Sequence, residues 1–191
     1  VQVHADCQAD GSGALTARMQ DFELGAVRAL VGLEAPLEGN VNAEVEVRRL
    51  FDKPVLRLNG QVARLYYDRV ELGTVLARSQ WVEHQNKLEV DGRLIRQKDT
   101  VALLTGYYDL EDAANPMQFN LTLHRFPLEI VQPFVDDYVF GLEGLAYMRN
   151  ARLTGNSDLP VLEGLANVDA RFGFKFLKTY MSVQNAIRLE R

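Results

Sequence analysis

Residue types that perform catalysis are few in this 191-residue chain, and they are not grouped. His4 and Cys7 lie three positions apart, a spacing that puts them on opposite faces of a strand, so neither a metal site nor a Cys–His nucleophile is expected there. Asp136 and Asp137 are adjacent, whereas an acid–base dyad needs two carboxyl groups that face each other. We therefore expect these two aspartates to cap a helical turn in solvent.

The other candidate motifs lack the context that their chemistry requires. His84 and His124 fall in different segments, and each is expected at the surface rather than in a ligand set. Gly11-Ser12-Gly13 does not stand between a strand and a helix, as the serine of a nucleophile elbow does. No phosphate-binding loop or dinucleotide fingerprint is present in the sequence. We therefore predict a protein that is not an enzyme and binds no metal or cofactor.

Composition excludes several further classes of protein. A single cysteine excludes a disulfide framework, and three histidines leave little for a structural zinc site. The net charge of −5 argues against a nucleic-acid binder, because such proteins neutralise phosphates with an excess of basic residues. No apolar run reaches the roughly 18 residues of a membrane-spanning helix. The chain starts at Val1 within an alternating segment, so we expect a fragment of a longer protein whose membrane anchor lies elsewhere.

Hydrophobic and polar residues alternate along most of the chain, which is typical of half-buried β-strands. In Asn40–Arg48 four aliphatic residues fall on one side and polar residues on the other. The same period of two recurs in Lys87–Leu94, Met117–His124, Val168–Phe176 and Met181–Leu189. The pattern predicts an all-β protein with about eleven or twelve strands in a mostly antiparallel or mixed sheet.

Turn signals separate these segments, and one segment departs from the strand pattern. Asp91-Gly92 and the stretch 111–116 have the composition of loops between antiparallel strands. In Pro127–Tyr138 the apolar residues recur at helical spacing, which predicts one short helix near 127–138. Pro133 would weaken a long helix, so the helix is expected to be short.

A weak internal repeat links two parts of the chain. Asp52-Lys53-Pro54-Val55-Leu56 returns as Asp158-Leu159-Pro160-Val161-Leu162. Each copy follows an alternating strand and precedes a glycine, Gly60 or Gly164, and a further strand. The repeat therefore covers about 39–66 and 144–176. Because no linker interrupts the pattern, we assign residues 1–191 to a single continuous domain.

The repeated turn and one further segment resemble a known family. The turn at Asp158–Gly164 resembles the D-x-P-x-L-x-G turn of TamB-like proteins, and its copy at 52–60 has a longer spacing to the glycine. Phe126–Phe134 is similar to the FPL segment that precedes this turn in the same family, followed here by strands around Gly141 and Gly144. The order of these motifs agrees with the family, closely from Asn115 to Arg191 and more loosely before it.

The resemblance implies a fold and a function. TamB-like proteins belong to the AsmA-like bridge-forming group of Gram-negative bacteria, and the implied fold is an elongated, curved sheet folded into an open trough with an apolar concave face, a β-taco. Members are anchored in the inner membrane, extend through the periplasm and meet an outer-membrane barrel of the TamA type. The implied function is phospholipid transport to the outer membrane, so the expected partners are phospholipid and, through the full-length chain, the barrel protein, with no nucleic acid.

The apolar stripes of the sequence are the candidate lining of such a trough. A polar headgroup can stay in water at the rim, so no polar cluster is needed for binding. The side chains expected to contact acyl chains are Val41, Val45, Val47, Leu88, Val90, Phe119, Leu121, Leu123, Phe172, Phe174 and Phe176.

Two other interpretations of the same pattern stay open at this point. An open sheet has unpaired edge strands, so the chain could instead act as a docking or chaperone module that adds a strand of an outer-membrane β-barrel protein. In a closed sandwich or barrel, by contrast, the same stripes would form an ordinary core. We expect the tyrosine doublets Tyr66-Tyr67 and Tyr107-Tyr108 to pack across strands.

Overall fold

The protein consists of consecutive antiparallel strands in one sheet. The computed structural model describes residues 2–7, 13–26, 37–49, 55–83, 85–156 and 159–189. Its strands are β1 (Gln2–Cys7), β2 (Gly13–Glu23), β3 (Leu37–Arg48), β4 (Val55–Tyr67), β5 (Val70–Val82), β6 (Lys87–Arg96), β7 (Asp99–Asp109), β8 (Met117–Pro127), β9 (Val139–Gly155), β10 (Pro160–Phe174) and β11 (Thr179–Leu189). The eleven strands follow one another in the sheet in chain order.

The sheet is open, with β1 and β11 at its two edges. Every pairing between neighbours is antiparallel, and within the described ranges no pairing joins β1 to β11. The predicted all-β class, the open sheet and the short helix are therefore confirmed. An unclosed sheet is also what the predicted trough requires, whereas a closed barrel would have joined the two edges.

Much of the protein forms a single layer. Its accessible surface is 12832 Å², whereas a compact globule of 21.5 kDa exposes about 9,200 Å². Among the described residues no large side chain is completely buried. Both faces of the sheet therefore have extensive access to their surroundings, which excludes a self-contained globule with a sealed core.

Local backbone irregularities interrupt the regular pairing at several strands. In β2, β4, β8 and β9 the register shifts by an extra residue, and a non-glycine residue with positive φ lies at each shift: Asp21, Arg64, Arg125 and Asn150. Such β-bulges increase the twist of a strand and bend it. They also change which residues share a face, because one added residue reverses the alternation.

A short helical connection, Leu128–Val135, joins β8 to β9. It consists of a 3₁₀ turn, Leu128–Val131, and one α-helical turn, Gln132–Val135, with Pro133 in the first turn of that helix. A proline is tolerated there because the first N–H groups of a helix have no intrahelical partner. The helix predicted near 127–138 is therefore confirmed.

The helical connection packs against strands other than its two neighbours. Ile130 is buried, and the ring of Phe134 stacks on Tyr67 of β4 with the centroids 4.5 Å apart. The Glu129 carboxylate lies 3.4 Å from the Arg96 guanidinium at the end of β6. The connection thus ties the ends of strands from both halves of the sheet.

Three details of the sequence prediction are wrong. Asp91-Gly92 is not a turn but the middle of β6, where both residues pair with β5 and β7. Gly141 and Gly144 lie in one long strand, β9, rather than in a strand pair. Phe176 does not continue the alternation of β10, because that strand ends at Phe174 and 175–178 form a turn.

The repeat falls on two hairpins, β3–β4 and β9–β10. Pro160 is the first residue of β10, the position where a missing N–H removes no interior ladder bond. Asp52, Lys53, Pro54 and Asp158 of the two turns lie outside the described residues.

Candidate functional site

An uninterrupted row of apolar side chains crosses the sheet from β2 to β11. Directly opposed residues of antiparallel strands share a face, so the register identifies each row. This row, called here the long apolar row, consists of Phe22, Val41, Val62, Val75, Leu94, Ala102, Leu123, Met148, Ala166 and Ile187. It contains no polar residue.

Two further rows run parallel to it on the same face. One consists of Ala17, Val45, Leu58, Ser79, Val90, Gly106, Phe119, Leu153 and Leu162, and the other of Met19, Ala43, Gly60, Ala77, Gly92, Leu104, Leu121 and Ala151. Ser79 is the one polar member. Rows on one face lie about 6.8 Å apart along the strands. The three rows form a surface called here the apolar face.

The opposite face of the sheet is polar across the same strands. One of its rows consists of Arg18, Glu44, Asn59, Arg78, Asp91, Thr105, Asn120, Arg152 and Glu163. Opposite charges meet across strands, as in the bond from Arg18 to Glu44 at 2.8 Å. The sheet is therefore amphipathic, with one polar face and one apolar face.

The apolar face is covered unevenly. Near β8–β10 a buried cluster contains Met148, Ala151 and Ala166, with Leu121 and Leu162 packed against it. Most side chains of the face in β3–β7 are half-buried instead. At β11 the face is open, since Met181 is 44% and Ile187 38% exposed.

The predicted lining residues lie on this face, with one exception. Val41, Val45, Val90, Phe119, Leu121 and Leu123 belong to the three rows, and Val47, Leu88, Phe172 and Phe174 share the face through their strand partners. Phe176 lies in the turn after β10 and is 75% exposed. Its ring still lies 5.4 Å from Phe174, whose ring is 5.2 Å from Phe172.

Several residues of the face were missed by the sequence analysis. Leu58 and Val62 of β4 had a usable signal, because β4 alternates regularly around them. In β5 the signal was weaker, since Leu76 lies on the polar face and Ser79 on the apolar one. Trp81 of β5, opposite Leu88, also belongs to the apolar face.

A cavity of about 640 Å³ opens on the polar face rather than on the apolar one. It is bounded by β4–β7, with Arg57 and Arg78 near Glu89 and Asp91. Asp91 is engaged by Arg93 at 3.3 Å. With both signs of charge around an open cavity, the lining favours neither an anion nor a cation.

In one charged cluster on the polar face, neighbouring groups shift the pKa values of Lys87 and Asp109. Lys87 lies 3.5 Å from Asp109 on the neighbouring strand and 3.9 Å from the centroid of the Tyr107 ring. The hydrogen bond from the Glu111 N–H, with the Lys87 ammonium nearby, holds the pKa of Asp109 below its ordinary value. The Tyr107 side chain, with Asp109, holds the pKa of Lys87 above its ordinary value.

Three of the residues considered for catalysis lie at the surface, and two of them contact neighbouring side chains. Asp136 accepts hydrogen bonds from Gln132 at 3.1 Å and Lys175 at 3.3 Å, and Asp137 is exposed beside it. His124 is exposed, with its ring edge against Tyr147.

The structure leaves part of the catalytic prediction untested. His84, Gly11, Ser12 and the side chains of His4 and Cys7 lie outside the described residues. In the described ranges no three His, Cys, Asp or Glu side chains come together as a metal site requires.

Comparisons of the chain with protein-family models, curated proteins and solved structures give no match. None of the helices in the described ranges is both long and apolar enough to cross a membrane. The apolar face is thus the feature of the molecule on which a functional argument rests.

Proposed function

We propose that the apolar face binds the acyl chains of phospholipids and shields them from water during transport between membranes. The long apolar row carries this proposal, because ten consecutive strands place an apolar side chain at the same level of one open face. The nine strand-to-strand spacings of about 4.8 Å give this row a length of roughly 43 Å. An acyl chain lying along the row would contact apolar side chains throughout.

Removing an acyl chain from water can supply the free energy of binding without any catalysed reaction. An acyl chain of about fourteen carbons exposed to water costs on the order of 11 kcal/mol, at about 0.8 kcal/mol for each methylene. A face that covers most of the chain removes most of this cost without a reaction. The headgroup stays in water beside the face, so no catalytic residue takes part.

The similarity of the D-x-P turn and the FPL segment to TamB-like proteins supports the setting of this proposal. In that setting the chain works in the periplasm, as part of a longer protein that is anchored in the inner membrane and meets an outer-membrane barrel. The half-buried side chains of β3–β7 support it further, because an apolar face without a second protein layer suits a ligand that comes and goes.

Site-specific photocrosslinking tests the proposal with two adjacent residues. A photoreactive amino acid at Val90 lies on the apolar face, and the same amino acid at Glu89 lies on the polar face of the same strand. We expect crosslinked phospholipid, identified by mass spectrometry after purification from bacterial envelopes, at Val90 and not at Glu89. Equal labelling at the two positions, or none at either, would contradict the proposal.

The second candidate function is docking of a barrel protein by strand addition. The open edges favour it, since β1 and β11 each pair with a single described neighbour. Strand addition uses one edge, however, and gives no reason for apolar rows in all the inner strands. If the chain acts by strand addition, a proline on an edge strand should impair function more than Phe174→Asp. If the apolar face binds lipid, Phe174→Asp should be the more damaging change.

A further inference from the structure

A pocket of about 280 Å³ lies beside the helical connection, where β6 ends, β7 begins and β8 ends. Four charged residues line it: Arg96, Asp99, Arg125 and Glu129. Apolar side chains, including the buried Val101, complete its wall. The pocket therefore combines charged groups with a partly apolar lining in the inner part of the sheet.

The pocket adjoins the long apolar row. Arg96 follows Leu94 of that row by two positions in β6, so the two side chains share a face. Asp99 lies directly opposite Arg96 on β7 and shares the same face. In β8, Arg125 follows Leu123 of the row by two positions. Residues two apart in a strand are separated by about 6.8 Å, so charged groups lie within one such step of the apolar side chains.

The guanidinium of Arg96 has a hydrogen-bond donor to spare. Its Nη1 atom is buried and has no hydrogen-bond partner among the described residues. The Glu129 carboxylate pairs with this atom at 3.4 Å, which is longer than the roughly 2.7–3.2 Å of an ordinary N–H···O bond. A buried donor without an acceptor is unfavourable, and phosphate oxygens are acceptors that match the arginine fork. Arg96 is therefore suited to a ligand that carries a phosphate group.

The charges of the lining are balanced, with two arginines and two carboxylates. A ligand of one sign would be repelled by half of them, whereas a ligand that carries both a phosphate and an ammonium group can pair with all four. The larger cavity bounded by β4–β7 also has both signs of charge, but it opens on the polar face. A ligand in that cavity could not place an acyl chain on the apolar rows.

We propose that the pocket binds the headgroup of a zwitterionic phospholipid, with Arg96 and Arg125 at the phosphate and Asp99 and Glu129 at the ammonium. This inference rests on the proposed function, because acyl chains on the long apolar row bring the headgroup within reach of the pocket. The Glu129 side chain is 45% exposed, so a headgroup bound there stays in contact with water. A soluble phosphoethanolamine compound has the same charges, but the adjoining apolar row favours the lipid.

Lipid selection from mixed vesicles tests the headgroup separately from the acyl chains. The vesicles contain equal amounts of phosphoethanolamine and phosphoglycerol lipids with identical acyl chains, and the lipids bound to the protein are quantified by mass spectrometry after the vesicles are removed. The total amount of bound lipid reports on the apolar face, and the ratio of the two lipids reports on the pocket. We expect the wild type to enrich the phosphoethanolamine lipid about threefold.

Substitutions of opposite charge in the pocket should change this ratio in opposite directions. Asp99→Asn removes a partner of the ammonium, so the ratio should fall toward one. Arg125→Gln should lower the total bound lipid and raise the ratio, because the remaining carboxylates repel the phosphoglycerol lipid. Asp91→Asn and Arg93→Gln make the same changes of charge in an ion pair on the polar face of β6, and these control variants should keep the wild-type ratio.

The outcomes separate this inference from the proposed function. If the wild type binds lipid in the ratio present in the vesicles, or if pocket and control variants change the ratio alike, the headgroup inference is overturned and lipid binding by the apolar face stands. If no lipid is bound, both are overturned. Glycerophosphoethanolamine, which has the headgroup without acyl chains, should not displace the lipid at equal concentration. Displacement would mean that the pocket serves a soluble ligand, which also overturns the inference.

Discussion

Single residues of this sheet show how closely neighbouring backbones constrain a side chain. Gly144 of β9 has a φ of +124°, and a Cβ at this position would overlap the carbonyl oxygen of Asp169 on β10. Gly92 of β6 has no such restriction, and its nearest neighbour, the Cβ of Leu104, would lie 3.7 Å from an added Cβ. Two glycines in strands of one sheet therefore have opposite tolerance for substitution.

Replacing these glycines by alanine should have effects of opposite sign. Gly144→Ala should lower the free energy of unfolding by about 2–4 kcal/mol, since it combines a strained φ with overlap of main-chain atoms. Gly92→Ala should raise it by about 0.5 kcal/mol, because alanine reduces the entropy of the unfolded chain and meets ordinary contacts. Urea unfolding of the two variants checks both values, and a loss at Gly92 as large as that at Gly144 would contradict the described packing.

The Asp109 carboxylate makes stability depend on pH in a defined direction. Its pKa is lower in the folded protein than in the unfolded chain, so folding favours the ionised form. The resulting stabilisation is present above the ordinary pKa of the carboxyl and disappears as the pH falls through the lower folded pKa. Wild type should therefore exceed Asp109→Asn in stability at neutral pH, and the difference should shrink as the pH falls below the ordinary pKa of the carboxyl.

Thermal unfolding from neutral to acid pH measures this difference. Asp137→Asn, which removes an exposed carboxylate, serves as the matched control and should follow the wild type. A constant difference between wild type and Asp109→Asn over the whole range would show that the carboxylate does not act through ionisation.

At the scale of whole elements, alternation was enough to predict strands but not which residues share a face. In β9 the bulge at Asn150 puts Met148 and Ala151 on one face, although they are three residues apart. In β2 the bulge at Asp21 likewise brings Phe22 onto the face of Met19. The position of a bulge depends on pairing with the next strand, and the local sequence pattern carries no information about that pairing.

Turns were predicted less well than strands for a related reason. The two-residue loops Asp68-Arg69 and Gln97-Lys98 have positive φ at both positions, the geometry of a tight hairpin turn. Asparagine, aspartate or glycine followed by glycine is the usual signal for such turns, and both loops lack the glycine at the second position. Asp91-Gly92 has the sequence signal but lies within β6, where tertiary pairing overrides it. The residues of the apolar face were more predictable, because burial on one face imposes alternation directly.

The two apolar contacts of the helical connection differ in burial, so we expect them to differ in their contribution to stability. Ile130 is 5% exposed, whereas Phe134 is 62% exposed despite its stacking on Tyr67. Ile130→Ala should cost about 3 kcal/mol of unfolding free energy, and Phe134→Ala about 1 kcal/mol. Chemical denaturation of both variants measures the two costs. A larger cost for Phe134 would mean that the aromatic stack, rather than the buried isoleucine, holds the connection on the sheet.

The whole molecule separates an apolar face from a polar one over nearly its full set of strands, with a surface about 1.4 times that of a compact protein of its mass. An ordinary soluble domain would cover such a face with a second layer. No second layer covers β3–β7 in the described residues, which leaves this face open to water, to a ligand or to further protein. Measurements on the intact chain can separate these surroundings.

The single tryptophan provides that measurement, because Trp81 lies on the apolar face opposite Leu88. Short-chain phospholipids with brominated acyl chains should quench its fluorescence, since bromine quenches on contact and the chains would lie against the ring. Unbrominated lipids should shift the emission to shorter wavelength without quenching. In the control, W81F/Q80W, the indole moves one residue along the strand to the exposed polar face, and quenching should be lost. Equal quenching in both proteins would indicate nonspecific adsorption, and no quenching in either would leave the apolar face to a protein partner.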